Sequence, residues 1–335
     1  MRAVGVRGGK GNADHLYIED NVPDPVAAGD RVLVSIKAFG LNRMDIMQRE
    51  DRYPYPLLPE SGKIMGVEFS GLVAALGPDC KGDFQAGQRV FGLAYGGAYA
   101  EKIAVSEKML MHMPDSLSFE QAAGIPETYF TAIQAIHLVG DLQPGQSVLI
   151  HAGASGVGQA AIQVARQGGA SVVFTTAGTD AKCQLCRRLG ADHAVNYKTG
   201  PEDFAEVVRR ETGGKGVDLI VDLVGQAYWH RNTASAAMEG KIVLVAAMSG
   251  SVIENMDLRA LLNKRLWVLA TTLRTRSADY QGRLRDVFVA KALPHVAAGT
   301  MGVTVDEVFP WNRVGDAHKK MEANANAGKL ICVVD

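Results

Sequence analysis

The sequence is short of cysteine, of unbalanced charge and of long apolar runs, and each shortage removes a class of function. Cys80, Cys183, Cys186 and Cys332 are the only 4 cysteines in 335 residues, too few and too scattered for a disulfide framework, so reduced thiols are expected. Lys plus Arg number 35 and Asp plus Glu 36, and a net charge of −1 gives no general attraction to nucleic acid or to an anionic membrane. No run of about 18 apolar residues occurs, and the opening MRAVGVRGGKGNADH lacks the apolar core of a secretory signal. A cytoplasmic protein with no nucleic-acid partner and no membrane partner is the expectation. Internal repeats and low-complexity tracts are absent as well. Cys183 and Cys186 form a C-x-x-C, but they lie in the helical stretch AKCQLCRRLG with no second Cys/His pair at zinc spacing, so they read as helix residues.

What the chain does have is apolar content, at 47%, and a length that suits two domains. From Pro144 onward, short β-branched runs alternate with helix-period segments. The runs are 147–152, 170–176, 193–197, 217–224, 241–248 and 265–272, and the helical segments are 156–168, 180–189, 201–211 and 226–238. That alternation specifies an α/β fold, a Rossmann doubly wound parallel sheet of six strands. The first 120 residues instead carry short alternating stretches punctuated by Gly, Pro, Asp and Asn, which read as a small antiparallel β-barrel-like domain. The expected division is residues 1–123, 124–272 and 273–335. The last part holds a helix stopped at Pro294 and a final strand able to return to the first domain.

Residues 147–158, SVLIHAGASGVG, raise the question of a dinucleotide turn. Gly153 and Gly158 occupy the outer positions of the G-x-G-x-x-G pattern and Ser155 the middle one. With a strand before it and a helix opening at Gly156 and Val157, the turn offers amides and a helix dipole to a pyrophosphate. The small Ser155 hydroxyl can add a hydrogen bond of its own. The same Gly-x-Ser could begin a nucleophile elbow, but Val157 replaces that motif's last glycine. The second strand ends in Thr175-Thr176-Ala177-Gly178-Thr179, with no carboxylate to hold both ribose hydroxyls, and Lys182 follows one helical turn later. This favours NADPH over NADH. Asp180 reads as a first-turn charge that complements the helix dipole.

These residues resemble the medium-chain dehydrogenase/reductase superfamily, in which a GroES-like β domain is joined to a Rossmann domain. LNRMDIMQR, GVEFSG, GGAYAEK, IPETYFTA, HAGASGVG and GADHAVNYK look like the zinc-independent quinone oxidoreductases, closest to the tumour-suppressor-inducible subgroup. The resemblance implies a substrate cleft between the domains. It places Asn42, Asp45 and Tyr53 on the β-domain side of the acceptor, with Thr131 from the linking helix and Ser155 from the turn. Tyr53 would be the wall of the acceptor site or its proton donor, and Asn42 a hydrogen-bond donor to the acceptor's oxygen. Gly178, Lys182 and Tyr197 would surround the 2′-phosphate. Asn324 stands where some relatives have an arginine, and Met47 where many have a second tyrosine. Each of these also suits a structural role: Tyr53 or Asn42 in a turn, Tyr197 at a strand end, Thr131 in a helix. His151 and His318 read as structural.

Zinc-dependent members carry a cysteine near the position of Asn42 and a histidine before the glutamate of the glycine-rich block. Here that block reads Gly66-Val67-Glu68, and no cysteine lies between Cys80 and Cys183. No metal site is therefore expected. The implied activity is hydride transfer from NADPH to a quinone, with a 2-alkenal or enone as the alternative acceptor and a non-catalytic RNA-binding relative as a third reading. The apolar stretch 265–272 would be the edge strand of the sheet, and the resemblance implies that it pairs across a homodimer.

Overall fold

A computed structural model describes residues 1–54, 63–199 and 203–335. The chain divides into two compact units, one of Met1–Glu127 with Arg274–Asp335 and one of Thr128–Leu273.

The Thr128–Leu273 unit is built on a six-stranded sheet. Its strands lie in the order His193–Asn196, Val172–Ala177, Ser147–Ile150, Val217–Asp222, Ala236–Leu244, Trp267–Ala270, and every neighbouring pair is parallel. Counted along the chain this order is 3-2-1-4-5-6, the doubly wound arrangement read from the sequence. Helices must cover both faces of such a sheet, so its central strands are apolar on both sides: Val148, Leu149, Ile150, Ile220 and Val221 are all buried. The helices Gly156–Gln167, Asp180–Arg188 and Phe204–Glu211 each start at a side-chain cap, with Ser155, Thr179 and Asp203 accepting from the amides of Gly158, Lys182 and Ala205. Of the helix expected over 201–211, residues 201 and 202 lie outside the described residues.

Two local expectations need correction. The helix expected over 226–238 is confined to Trp229–Ser235, with a 3₁₀ turn before it, and the strand already begins at Ala236. Lys264 Nζ donates to the carbonyls of Thr233, Ala234 and Ala236 and so closes the end of that helix. A cap supplied from about thirty residues away leaves no trace in local periodicity. Pro294 does not act as a simple stop. The long helix Ala278–Lys291 ends before it, and Pro294 sits in the first turn of a short helix, Leu293–Ala297, where its missing N–H has no partner to lose.

In the other unit a seven-stranded sheet runs through Val305–Pro310, Lys329–Val333, Arg31–Gly40, Glu68–Leu76, Arg89–Leu93 and Leu110–His112, with Lys102–Ser106 also paired to Arg31–Gly40. Only the pair of Val305–Pro310 with Lys329–Val333 is parallel. One core of Val32, Val34, Phe39, Phe69, Val90, Trp311 and Leu330 fills this unit. Ile331 stands opposite Gly40, and Leu41 N donates to Leu330 O, so the final strand brings Lys329 beside Leu41 and Asn42. Among the described residues no helix is long and apolar enough to cross a membrane.

Candidate active site

The turn from strand Ser147–Ile150 into helix Gly156–Gln167 is compact because its glycines leave no alternative. A Cβ on Gly153 would run into Thr175 Oγ1, and one on Gly158 into the Ala152 carbonyl oxygen. Ser155 Oγ accepts from Gly158 N at 3.0 Å, so the serine first serves as the helix cap. The amides of Gly156 and Val157 have no acceptor among the described residues. Two open N–H groups at the positive end of a twelve-residue helix fit a pyrophosphate.

At the tip of the next strand, a Cβ on Gly178 would lie 3.2 Å from the Tyr197 hydroxyl and 3.4 Å from Lys198 Cε. Gly178, Tyr197 and Lys198 therefore converge, and Tyr197 and Lys198 are exposed. The Asp180 carboxylate accepts from Asn196 Nδ2 at 2.8 Å, which ties it to the neighbouring strand. The Thr179 hydroxyl caps the helix by taking the Lys182 amide.

The other unit holds a buried polar cluster. Lys329, 3% exposed in its side chain, donates to Glu68 Oε1 at 2.5 Å, Leu41 O at 2.6 Å and Asn42 Oδ1 at 2.8 Å. All three ammonium hydrogens are thus placed. Glu68 also accepts from Asn42 Nδ2 at 2.9 Å and, on Oε2, from Glu127 N at 3.0 Å. With Oδ1 held by Lys329 and Nδ2 by Glu68, the Asn42 amide has one orientation. Burial foremost, then the Glu68 carboxylate, pushes the Glu127 carboxyl up to about 8.

Behind Asn42, Asp45 is completely buried. Its Oδ2 accepts from Asn42 N at 2.8 Å and from the Tyr99 hydroxyl at 3.0 Å, while burial pushes it up to about 6. Tyr99 oxygen lies 3.2 Å from His318 Nε2, and His318 Nδ1 lies 3.2 Å from Arg49 Nη1. Arg49 can only donate, so Nδ1 accepts and Nε2 carries the proton toward Tyr99. Burial and then Arg49 drive His318 down to about 3, which keeps it neutral. Asp45 has no exposed surface, and it holds the backbone of Asn42.

The other residues named from the sequence fall as follows. Tyr53 is half-buried with the Arg274 guanidinium 5.2 Å above its ring, and Arg274 Nη1 donates to Gln48 at 2.8 Å. Thr131 is buried in helix Pro126–Ile133. Asn324 belongs to a different unit from the glycine turn, adopts φ 53° and accepts from Arg43 at 2.6 Å. His151 is a structural residue bonded to Thr176 and Asn232, and burial lowers it to about 4. Cys183 and Cys186 lie buried in a helix, with Cys186 pushed up to about 12.

Two family models match the chain, the alcohol dehydrogenase GroES-like domain over residues 28–115 and the zinc-binding dehydrogenase over residues 156–289. Quinone oxidoreductase-like protein 2 of Bos taurus is 32% identical over 327 residues, covering 94% of this chain and 88% of that protein. The chain belongs to the quinone oxidoreductase-like family of the medium-chain dehydrogenase/reductase superfamily. Among solved structures, an NAD-dependent alcohol dehydrogenase matches with TM-score 0.86 and 31% identity, all of each chain being covered. Escherichia coli quinone oxidoreductase complexed with NADPH matches with TM-score 0.85 and 28% identity, over 99% of this chain and 100% of its own.

Membership makes this quinone oxidoreductase-like chain an oxidoreductase, and the second family model's name raises zinc. Among the described residues the donors do not fit that ion. Val67 offers no donor, and Glu68 and Asn42 already surround an ammonium that a cation would have to displace. Among the described residues no group of three or more His, Cys, Asp and Glu side chains is arranged to hold a metal. Glu127, Lys198, Lys329 and Arg274 escaped the sequence reading. Only Lys198 left a usable signal, since it directly follows Tyr197.

Proposed function

We propose that this oxidoreductase reduces quinones with NADPH in a metal-free site. The observation that carries the cofactor choice is the Gly178 tip. Tyr197 and Lys198 converge there, Lys182 follows in the next helix, and the nearby acid, Asp180, is engaged by Asn196. Such a tip accepts a 2′-phosphate and gives a ribose diol no carboxylate to hold. The ordinary amide-rich turn at Gly153, Ser155, Gly156, Val157 and Gly158 would take the pyrophosphate.

Bound NADPH would supply the hydride. The chain's part is to orient and to handle protons. Asn42, locked by Lys329 and Glu68, would donate to the acceptor's oxygen, Asp45 would hold Asn42 in place, and Tyr53 would wall the acceptor. Quinones suit a site without a Lewis acid because the added charge spreads onto oxygen. The four free cysteines support a reducing, cytoplasmic setting, and the edge strand Trp267–Ala270, with Trp267 59% exposed, supports a homodimer paired through 265–272. Cofactor oxidation followed at its ultraviolet band decides the reading. NADPH should outperform NADH with ortho- and para-quinones, and a short enal tests the alternative acceptor class. Equal turnover of NADH, or zinc retained through chelation, would overturn it. A monomeric mass by light scattering would remove the dimer.

A further inference from the structure

We propose that Glu127 is the acid of this site, handing a proton to the acceptor's oxygen as hydride arrives; this rests on the reductase reading above. Glu127 opens a helix beside the buried cluster, its amide fixed to Glu68 Oε2 at 3.0 Å, yet its carboxyl has no hydrogen-bond partner among the described residues. The residue as a whole keeps some exposed surface. A second observation concerns Arg274, whose charge acts on the Glu127 carboxyl. Arg274 Nε and Nη2 are buried and bond to nothing among the described residues, while Nη1 is spent on Gln48. These two guanidinium nitrogens, beside the Tyr53 ring, are a docking point for a carbonyl or enolate oxygen.

The charged groups facing Glu127 are Glu68 from its strand, Lys329 from the final strand, Asp45 from helix Arg43–Arg49, and Arg274. Glu68 and Asp45 oppose ionisation of Glu127, whereas Lys329 and Arg274 favour it, and with burial the balance keeps the proton on until about pH 8. In the step itself hydride brings both electrons to the acceptor. The Glu127 O–H bond breaks, an acceptor O–H bond forms, and the Glu127 carboxylate regains its proton from water. A quinone leaves as the hydroquinone, and an enone as its enol.

The test pairs turnover with stability, on the full chain. Glu127→Gln keeps the shape and loses the proton. It should lower kcat at least tenfold while the NADPH dissociation constant from calorimetry stays put. The wild-type kcat should fall above about pH 8, and that limb should vanish in the variant. Because the folded carboxyl binds its proton more tightly than the unfolded one, wild-type stability should decline between about pH 4.5 and 8 relative to Glu127→Gln. Glu127→Asp, which keeps an acid, should retain the alkaline limb at reduced kcat and decides the matter if the glutamine variant fails to fold. A variant matching wild type in kcat at every pH overturns the role of Glu127 and leaves the reductase reading standing. No NADPH oxidation by wild type with any quinone or enal overturns both.

Discussion

The two units prepare for chemistry with different materials. The Thr128–Leu273 unit offers backbone: amides at Gly156 and Val157, held in place by glycines that tolerate no Cβ. The other unit offers side chains, Asn42, Glu68 and Lys329, gathered from far-separated stretches into one hydrogen-bonded knot. A backbone site is robust to most substitutions and fails where a glycine is lost. A buried charged site fails wherever one partner is removed, because the remaining charge has nowhere to go.

The largest effect should therefore come from Lys329→Met. The pair it breaks has side chains 3% and 0% exposed, and Glu68 would be left charged and uncompensated, a loss of about 3–5 kcal/mol. Thermal or denaturant unfolding reads this directly. Adding Glu68→Gln should recover most of the stability without recovering turnover, and a double variant no better than the single one would show that the knot is not a paired system. Next comes Gly158→Ala in the other unit. Its Cβ meets the Ala152 carbonyl oxygen, so roughly 2–3 kcal/mol of strain is expected together with loss of NADPH binding by calorimetry. Intact binding would mean that the turn can open without cost, and the contrast between the units would weaken.

Legibility followed the same division. The glycine turn and the strand–helix alternation were open to reading because both are local: their signal repeats within a dozen residues and each glycine sits beside the strand it serves. The edge position of Trp267–Ala270 followed from strand order alone. Lys329 was hidden for a physical reason. In AGKLICVVD a lysine before an apolar strand reads as a solvated end, and only the antiparallel return of that strand to Arg31–Gly40 carries it to Glu68, 261 residues away. Glu127 in IPETYFTA reads as an ordinary first-turn acid. Its second carboxylate neighbour is invisible until the sheet is assembled. Asp45 was named from the sequence, but nothing local showed that Tyr99 and His318 would close over it.

Tyr99→Phe probes that closure and should cost less, about 1–2 kcal/mol, since it removes one hydroxyl that serves both Asp45 and His318. The Asp45 carboxyl should rise further above 6 once that donor is gone, visible as an upward shift of its carbon resonance titration. An unmoved titration would mean that burial alone sets it.

The smallest expected effect separates binding from stability altogether. Lys198 is exposed and stands next to the Gly178 and Tyr197 tip, so Lys198→Ala should leave the unfolding temperature unchanged. What it should change is discrimination. A cation beside a 2′-phosphate is worth about 1.4 kcal/mol when half-solvated, so the proposed preference for NADPH over NADH should fall about tenfold, with NADH affinity itself constant. The loss should shrink with added salt, since an exposed charge pair is screened. If both nucleotides weakened together, the lysine would be serving the shared pyrophosphate end, and the backbone unit would then owe part of its grip to a side chain after all.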